Sequence, residues 1–138
     1  MTTNTFLEQL VNRLEIPNFL GVFMKDTLPK SPNNLKECGI MNFDTADKPG
    51  SHWVCWIIDK TDPVHRKHVN YYFDSYGTAV PDELRQNIKS SNDSKIYRSD
   101  FMIQQLDSDI CGELCMAVLY CMMNTTRSYK DIVLSIRS

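Results

Sequence analysis

The chain has 138 residues, 42% of them hydrophobic, so it can bury the core of one domain, residues 1–138, and is too short for two. Its 15 basic and 17 acidic side chains leave a net charge of -2, which argues against bulk nucleic-acid binding as the main role. The sequence shows no apolar run long enough to span a bilayer and no secretory start, so we expect neither membrane insertion nor export.

Residues 5–14 are predicted to form a first amphipathic helix. Thr5 and Glu8 have the spacing of a capping box, and apolar side chains follow at helical spacing. Pro17 ends this pattern, and residues 19–24 are a short apolar run.

Three segments in the next part of the chain are predicted to be strands. Residues 39–43 are a short strand candidate, and the nearly all-apolar residues 53–58 are typical of a buried strand. Residues 69–73 form the next strand. We expect 53–58 and 69–73 to pair as a hairpin with a long tip.

The second half of the chain is predicted to contain three helices and one strand. Pro81, followed by two acidic residues, indicates the start of a helix over residues 82–89. Residues 96–103 have a strand pattern, Cys111 opens a strongly apolar central helix, and Ser128 caps a last short helix. This order predicts an α+β fold, in which helices pack on a small central β-sheet and a cysteine stands at the N-terminus of a buried central helix.

The cysteines carry the first chemical signal. An odd number of them, without an export signal, favours free thiols in a reducing compartment over a disulfide framework. Most free cysteines are small buried hydrophobes. That role is assigned to four of the five: Cys38, Cys55, Cys115 and Cys121. Cys111 differs because a polar loop precedes it and Gly112 follows it, and because a helix start favours a thiolate. Cys111 is therefore the candidate nucleophile.

His52 and Asp74 are the candidate partners of this thiol. His52 stands just before the predicted buried strand and is the candidate general base, while Asp74 follows the next strand and would orient the imidazole. If the two strands are antiparallel neighbours, the start of one and the end of the other lie side by side. The alternative role for Asp74 is a turn cap, because Asp-Ser-Tyr-Gly is also a good turn sequence. His65 and His68, in the polar tip of the hairpin, are interpreted as solvated.

Gln105 is the candidate side-chain donor of an oxyanion hole, with the Cys111 N–H as its partner and Gln104 as its local rival. A zinc site formed by Cys111, Cys115 and His52 is a further alternative. The sequence has no C-x-x-C pair and no second histidine at ligand spacing to support it. We expect no metal and no cofactor.

These residues and their order resemble the adenain family, the maturation proteases of adenoviruses, and the wider clan that includes the SUMO- and ubiquitin-like proteases. The order in that clan is His, acid, Gln and Cys, which His52, Asp74, Gln105 and Cys111 match. Short motifs carry the resemblance along most of the chain: Asn18-Phe19-Leu20-Gly21-Val22-Phe23, Gly50-Ser51-His52-Trp53, Tyr72-Phe73-Asp74-Ser75-Tyr76-Gly77 and Cys111-Gly112-Glu113-Leu114-Cys115.

The resemblance implies a thiol endopeptidase that processes viral capsid or core precursor proteins at Gly-containing sites. It places the enzyme in the virion and in the nucleus or cytoplasm of the infected host cell. In adenains a viral peptide activator is disulfide-bonded to a cysteine ahead of the glutamine, whereas residues 90–103 contain no cysteine. We therefore expect activity without a covalent peptide, and a non-covalent peptide or DNA activator stays open. Asp74 also departs from the human-type adenains, which carry Glu there.

Two other functions stay open at this point. A deubiquitinase or SUMO-specific protease would share the fold and the site, but it needs a groove for a Gly-Gly tail and a docking surface for the modifier. A non-catalytic binding module that retains the fold is the alternative from another class. The intact set of four site residues argues against the binding module.

Overall fold

A computed structural model describes residues 3–30, 34–48, 51–60, 69–89, 96–99, 103 and 110–137. In chain order the elements are α1 (Asn4–Leu14), β1 (Phe19–Met24), β2 (Lys36–Asn42), β3 (Trp53–Asp59), β4 (Val69–Phe73), α2 (Asp82–Lys89), β5 (Ile96–Arg98), α3 (Cys111–Asn124) and α4 (Tyr129–Arg137). The strands lie in one sheet with the order β1-β2-β3-β4-β5. The predicted α+β fold, with helices packed on a central sheet, is therefore confirmed.

β3 is the central strand and pairs antiparallel with both β2 and β4. The predicted pairing of residues 53–58 with residues 69–73 is thus confirmed, and the predicted long tip lies outside the described residues. β1 and β5 form the edges, and each runs parallel to its neighbour. β1 corresponds to the apolar run at residues 19–24, which the sequence pattern left without a structure.

The two faces of β3 belong to two hydrophobic cores. Its odd-numbered apolar residues pack with α1, α3 and α4, and its even-numbered ones pack with α2. Residues 53–58 are all buried as a result. Because successive side chains of a strand point to opposite faces, a strand covered on both sides has the continuous apolar sequence seen here.

α1 begins one residue earlier than predicted. Thr3 is its N-cap, because the Thr3 side chain accepts a hydrogen bond from the Phe6 N–H at 3.2 Å. The capping box predicted from Thr5 and Glu8 was therefore wrong, and Thr5 lies inside the first turn.

β5 is shorter than the strand predicted over residues 96–103. The Ile103 N–H donates instead to the carbonyl of Ser75 at 2.8 Å, so Ile103 contacts the turn after β4 and not the strand ladder.

The last helix begins as predicted. The Asp131 N–H donates to the Ser128 side chain at 3.2 Å, so Ser128 caps α4. The Tyr129 hydroxyl then donates to the carbonyl of Tyr72 at 2.6 Å and joins α4 to β4. Within the described ranges, no helix is long and apolar enough to cross a bilayer.

Candidate active site

Three of the predicted site residues meet at one end of the sheet. His52 immediately precedes β3, Asp74 immediately follows β4, and Cys111 is the first residue of α3. Because β3 and β4 are antiparallel, the start of β3 and the end of β4 lie at the same end. α3 packs on β3, and the Trp53 N–H donates to Cys111 Sγ at 3.4 Å.

His52 and Asp74 form a buried pair, with 2.6 Å between His52 Nε2 and Asp74 Oδ1. Asp74 Oδ1 also accepts the Tyr76 N–H at 2.8 Å, and Oδ2 accepts both the N–H of Thr78, at 3.3 Å, and its hydroxyl. Burial alone would raise the pKa of Asp74, but the hydrogen bonds from His52, Thr78 and Tyr76 outweigh burial and lower this pKa. Asp74 therefore caps the turn and orients His52 at the same time.

Cys111 interacts with the same ring, and this interaction raises the pKa of His52 and lowers that of Cys111. Since Nε2 faces Asp74, Nδ1 is the ring nitrogen left for the thiol. The sulfur thus lies between an imidazole and the Trp53 N–H, at the positive end of a helix. Each of these neighbours favours the thiolate.

The pKa values of the pair move in opposite directions. Burial alone would lower the pKa of His52, but hydrogen bonds to Asp74 and Cys111 outweigh it and raise this pKa to about 9. Burial alone would raise the pKa of Cys111, but hydrogen bonds from His52 and the Trp53 N–H outweigh it and lower this pKa. The thiolate and imidazolium together are therefore favoured over the neutral pair.

Two aromatic rings contact the His52 ring. Tyr76 stacks on it, with 4.3 Å between ring centroids and 19° between ring planes. Phe43 packs edge-on, with 5.1 Å between centroids and 71° between planes. The imidazole is held by its faces and edges as well as by its two nitrogens.

The side chain of Asn42, the last residue of β2, is hydrogen-bonded to the backbone of the segment that connects β2 to His52. Its buried side-chain oxygen accepts the N–H groups of Asp44 and Ser51, both at 2.9 Å. The Phe43 N–H donates to the His52 carbonyl at 2.9 Å. One buried amide thus fixes the backbone on both sides of the Phe43–His52 pair.

Gln105 and its rival Gln104 lie outside the described residues, so the oxyanion donor stays a prediction. Ile103, two positions ahead of Gln105, is described, and its N–H donates to the Ser75 carbonyl at 2.8 Å. Since Ser75 follows Asp74, Ile103 lies beside the turn that contains Asp74.

The other four cysteines lie in or against the core, as predicted. Three are buried and one is partly buried: Cys38, Cys55 and Cys115, then Cys121. Among the residues whose placement is described, no three His, Cys, Asp or Glu side chains form a cluster that could hold a metal ion. His65 and His68 fall outside those ranges.

Sequence reasoning missed four residues of this site: Asn42, Phe43, Tyr76 and Thr78. Tyr76 and Thr78 follow Asp74 within one turn, and asking which groups complete an Asp-centred turn would have pointed to both. Phe43 was predicted only as the end of a strand. No local pattern shows that its ring meets a histidine across the β2–β3 connection.

No protein-family model matches the chain, and no curated protein matches it. Two crystal structures of the ASFV pS273R protease are similar to it. One has a TM-score of 0.66 and 15% identity, covering 95% of this chain and 60% of that chain. The selenomethionine form has a TM-score of 0.52 and 17% identity, covering 72% of this chain and 38% of that chain.

This chain therefore shares the fold of the ASFV pS273R protease. The chain spans 60% and 38% of the lengths of these two protease structures. At these identities the likeness shows a shared fold alone, and the resemblance to adenains in particular stays an expectation.

Proposed function

We propose that this chain is a thiol endopeptidase. The observation that carries the proposal is the position of His52, which is hydrogen-bonded through Nε2 to buried Asp74 and interacts with Cys111. Acyl transfer to a thiolate requires a nucleophile, a proton donor and an acid that orients the donor. Cys111, His52 and Asp74 would fill these three roles.

In the first half of the reaction, the Cys111 thiolate would attack the carbonyl carbon of the scissile peptide bond. The oxygen would gain the negative charge, facing the Cys111 N–H and the side-chain amide of Gln105. The first N–H groups of a helix have no intrahelical acceptor, which suits the Cys111 N–H to this task. As the C–N bond breaks, His52 Nδ1 would give its proton to the leaving amine, and a thioester would remain.

In the second half, His52 would act as a base. A water molecule would lose a proton to His52 while its oxygen attacks the thioester carbonyl. The C–S bond would break, releasing the carboxylic acid, and the thiolate–imidazolium pair would be restored.

The substrates we propose are capsid or core precursor proteins of a virus, cut at Gly-containing sites within the virion and the infected host cell. The resemblance to adenains and the fold shared with a protease from ASFV support this class. Cys111 is only 3% exposed, so a peptide backbone with small side chains reaches its sulfur most easily. We further propose weak basal activity without a disulfide-linked peptide, with a non-covalent peptide or DNA as the alternative activator.

The test is peptide cleavage by the purified chain in excess reductant, with products identified by mass spectrometry. The substrates are Gly-containing peptides, candidate virion precursors and a ubiquitin-like protein fused through a Gly-Gly tail. Cys111→Ala should abolish cleavage with little change in melting temperature. Cys38→Ala, which alters a buried thiol of β2, is the matched control and should retain activity.

The outcomes separate the candidate functions. Cleavage at Gly-containing sites that is lost only in Cys111→Ala supports the endopeptidase. Cleavage confined to the ubiquitin-like fusion would favour a deubiquitinase or SUMO-specific protease. No cleavage of any substrate, together with a Cys111 that iodoacetamide labels no faster than Cys38, would favour the non-catalytic binding module.

A further inference from the structure

Trp53 points both of its backbone polar groups away from β2. The Phe43 N–H donates to the His52 carbonyl, so Phe43 and His52 are a hydrogen-bonded pair of the antiparallel ladder. Hydrogen-bonded and non-hydrogen-bonded pairs alternate along such a ladder, so the next pair, Asn42 and Trp53, is a non-hydrogen-bonded pair. The Trp53 N–H and C=O therefore point to the β4 side of β3. β4 pairs with β3 only from Cys55 onward, so α3 can occupy this side at Trp53.

Two thiols of α3 bond to these two groups. The Trp53 N–H donates to Cys111 Sγ at 3.4 Å, and the Cys115 S–H donates to the Trp53 carbonyl at 3.5 Å. Cys111 and Cys115 are four residues apart, which places them one above the other on the same face of the helix. A single strand residue thus holds both the candidate nucleophile and the thiol one turn beyond it.

Cys115 is suited to be a donor. It is fully buried, and burial raises its pKa well above the ordinary value, so its thiol keeps its proton. The Cys55 thiol in turn donates to the Cys115 carbonyl at 3.9 Å, which adds a second contact between β3 and the same turn of α3.

We propose that Cys115 is a positioning residue for the nucleophile. By donating to the Trp53 carbonyl, it fixes the rotation of the first turn of α3 on β3 and keeps Cys111 Sγ beside the Trp53 N–H and His52. Without this donor the turn can rotate, and both contacts to Cys111 Sγ lengthen. The role rests on the proposed function, because it requires Cys111 to act as a thiolate.

The test uses two pairs of variants that differ only in the donor. Cys115→Ser and Cys115→Ala have nearly equal side-chain volumes, and Cys115→Thr and Cys115→Val are isosteric and fill more of the site. The measurement is the rate at which iodoacetamide alkylates Cys111 as a function of pH, resolved by peptide mass spectrometry, so no substrate is needed.

Ser and Thr should retain the wild-type pH profile. Ala and Val should shift its midpoint upward and slow labelling near pH 7 by about fivefold, the effect of losing one hydrogen bond. The plateau rate at alkaline pH should stay unchanged, because the thiolate itself is unaltered. Cys38→Ala, at another buried thiol of the same core, is the control and should lower the melting temperature without moving the profile.

Equal profiles within each pair would overturn the proposal, because Cys115 would then act only through packing. The second pair decides the matter if the cavity left by Ala prevents folding. Failure of the proposed function has a different signature. In that case wild-type Cys111 itself would be labelled no faster than Cys38, whatever stands at Cys115.

Discussion

The ring of Tyr76 lies flat on the imidazole of His52, 4.3 Å away between centroids and 19° from parallel. An aromatic face placed this way attracts a cation, and His52 carries a positive charge when it is paired with a thiolate. The Tyr76 N–H at the same time donates to Asp74, the acceptor of His52 Nε2. One residue therefore contacts both members of the His52–Asp74 pair, one through its ring and one through its backbone.

Replacing the Tyr76 ring should weaken catalysis more than binding. Tyr76→Phe keeps an aromatic face and should have a turnover number near that of the wild type. Tyr76→Leu should lower the turnover number by about thirtyfold, the size of a cation–π contact at a desolvated site. The alkaline limb of its pH–rate profile should also move to lower pH, because the imidazolium loses support. An unmoved limb in Tyr76→Leu would reduce the ring to a packing group.

The pH dependence of hydrolysis should be bell-shaped, and that of alkylation should not. Hydrolysis needs the thiolate of Cys111, whose pKa is lowered, and the imidazolium of His52, whose pKa is raised to about 9. Its rate should rise as Cys111 ionises and fall as the pH passes about 9. Alkylation by iodoacetamide needs only the thiolate, so its rate should rise and then stay level. A hydrolysis rate that falls near pH 6.5 would contradict the raised pKa of His52.

The pH dependence of protein stability should reflect the same His52–Asp74 pair. Cys111→Ala removes one cause of the raised His52 pKa and leaves the bond to Asp74. The stability that this bond contributes through His52 is fully present below pH 6.5 and lost as the pH rises through the folded value. The lowered pKa of Asp74 acts at the other end, with stability present above pH 3.8 and lost as the pH falls through the folded value. Thermal melts across pH should show both losses. Asp74→Asn in the Cys111→Ala background should remove both pH-dependent losses of stability. Asp74→Asn with Cys111 intact should leave a measurable remnant of activity.

The contribution of Asn42 to stability and activity should depend on the oxygen of its side-chain amide. Asn42→Leu leaves the N–H groups of Asp44 and Ser51 without their acceptor and should destabilise the domain by about 1–3 kcal/mol. Asn42→Asp keeps the acceptor and should lose less stability and less activity near neutral pH. Chemical denaturation and peptide hydrolysis measure the two effects. Equal losses in both variants would assign the effect to packing.

Gln105→Ala should lower the turnover number by about 10²–10³-fold and change the Michaelis constant far less. An oxyanion donor bonds the substrate oxygen most strongly once that oxygen carries charge, which explains the asymmetry. Gln104→Ala is the neighbouring control and should behave nearly as the wild type. If Gln104 proves the sensitive position, the predicted register of this loop is wrong.

The sequence predicted those parts of the site that depend on local sequence patterns and on the antiparallel pairing of β3 with β4. The unbroken apolar run of β3 indicated a strand covered on both sides, and an antiparallel hairpin was enough to place His52 near Asp74. The apolar helix after Cys111 likewise fixed the position of the sulfur at a helix start.

Other features depend on which distant groups meet, and no local pattern encodes them. Thr3 and Thr5 are equally good caps by type, and of the two it is the Thr3 side chain that accepts an N–H at the helix start, that of Phe6. The bond from Cys115 to Trp53 requires the docked geometry of α3 on β3, so the sequence indicated only a core thiol. β1 was missed because its partner is parallel and non-local.

The contact between Trp53 and Cys111 joins residues 58 positions apart, whereas His52 and Asp74 are 22 positions apart. Longer loops cost more entropy to close, and distant contacts form later than near ones. During synthesis, a chain that has emerged only as far as β4 can pair His52 with Asp74 yet holds no reactive sulfur. The candidate site would therefore be completed only when α3 docks on a hairpin that is already in place.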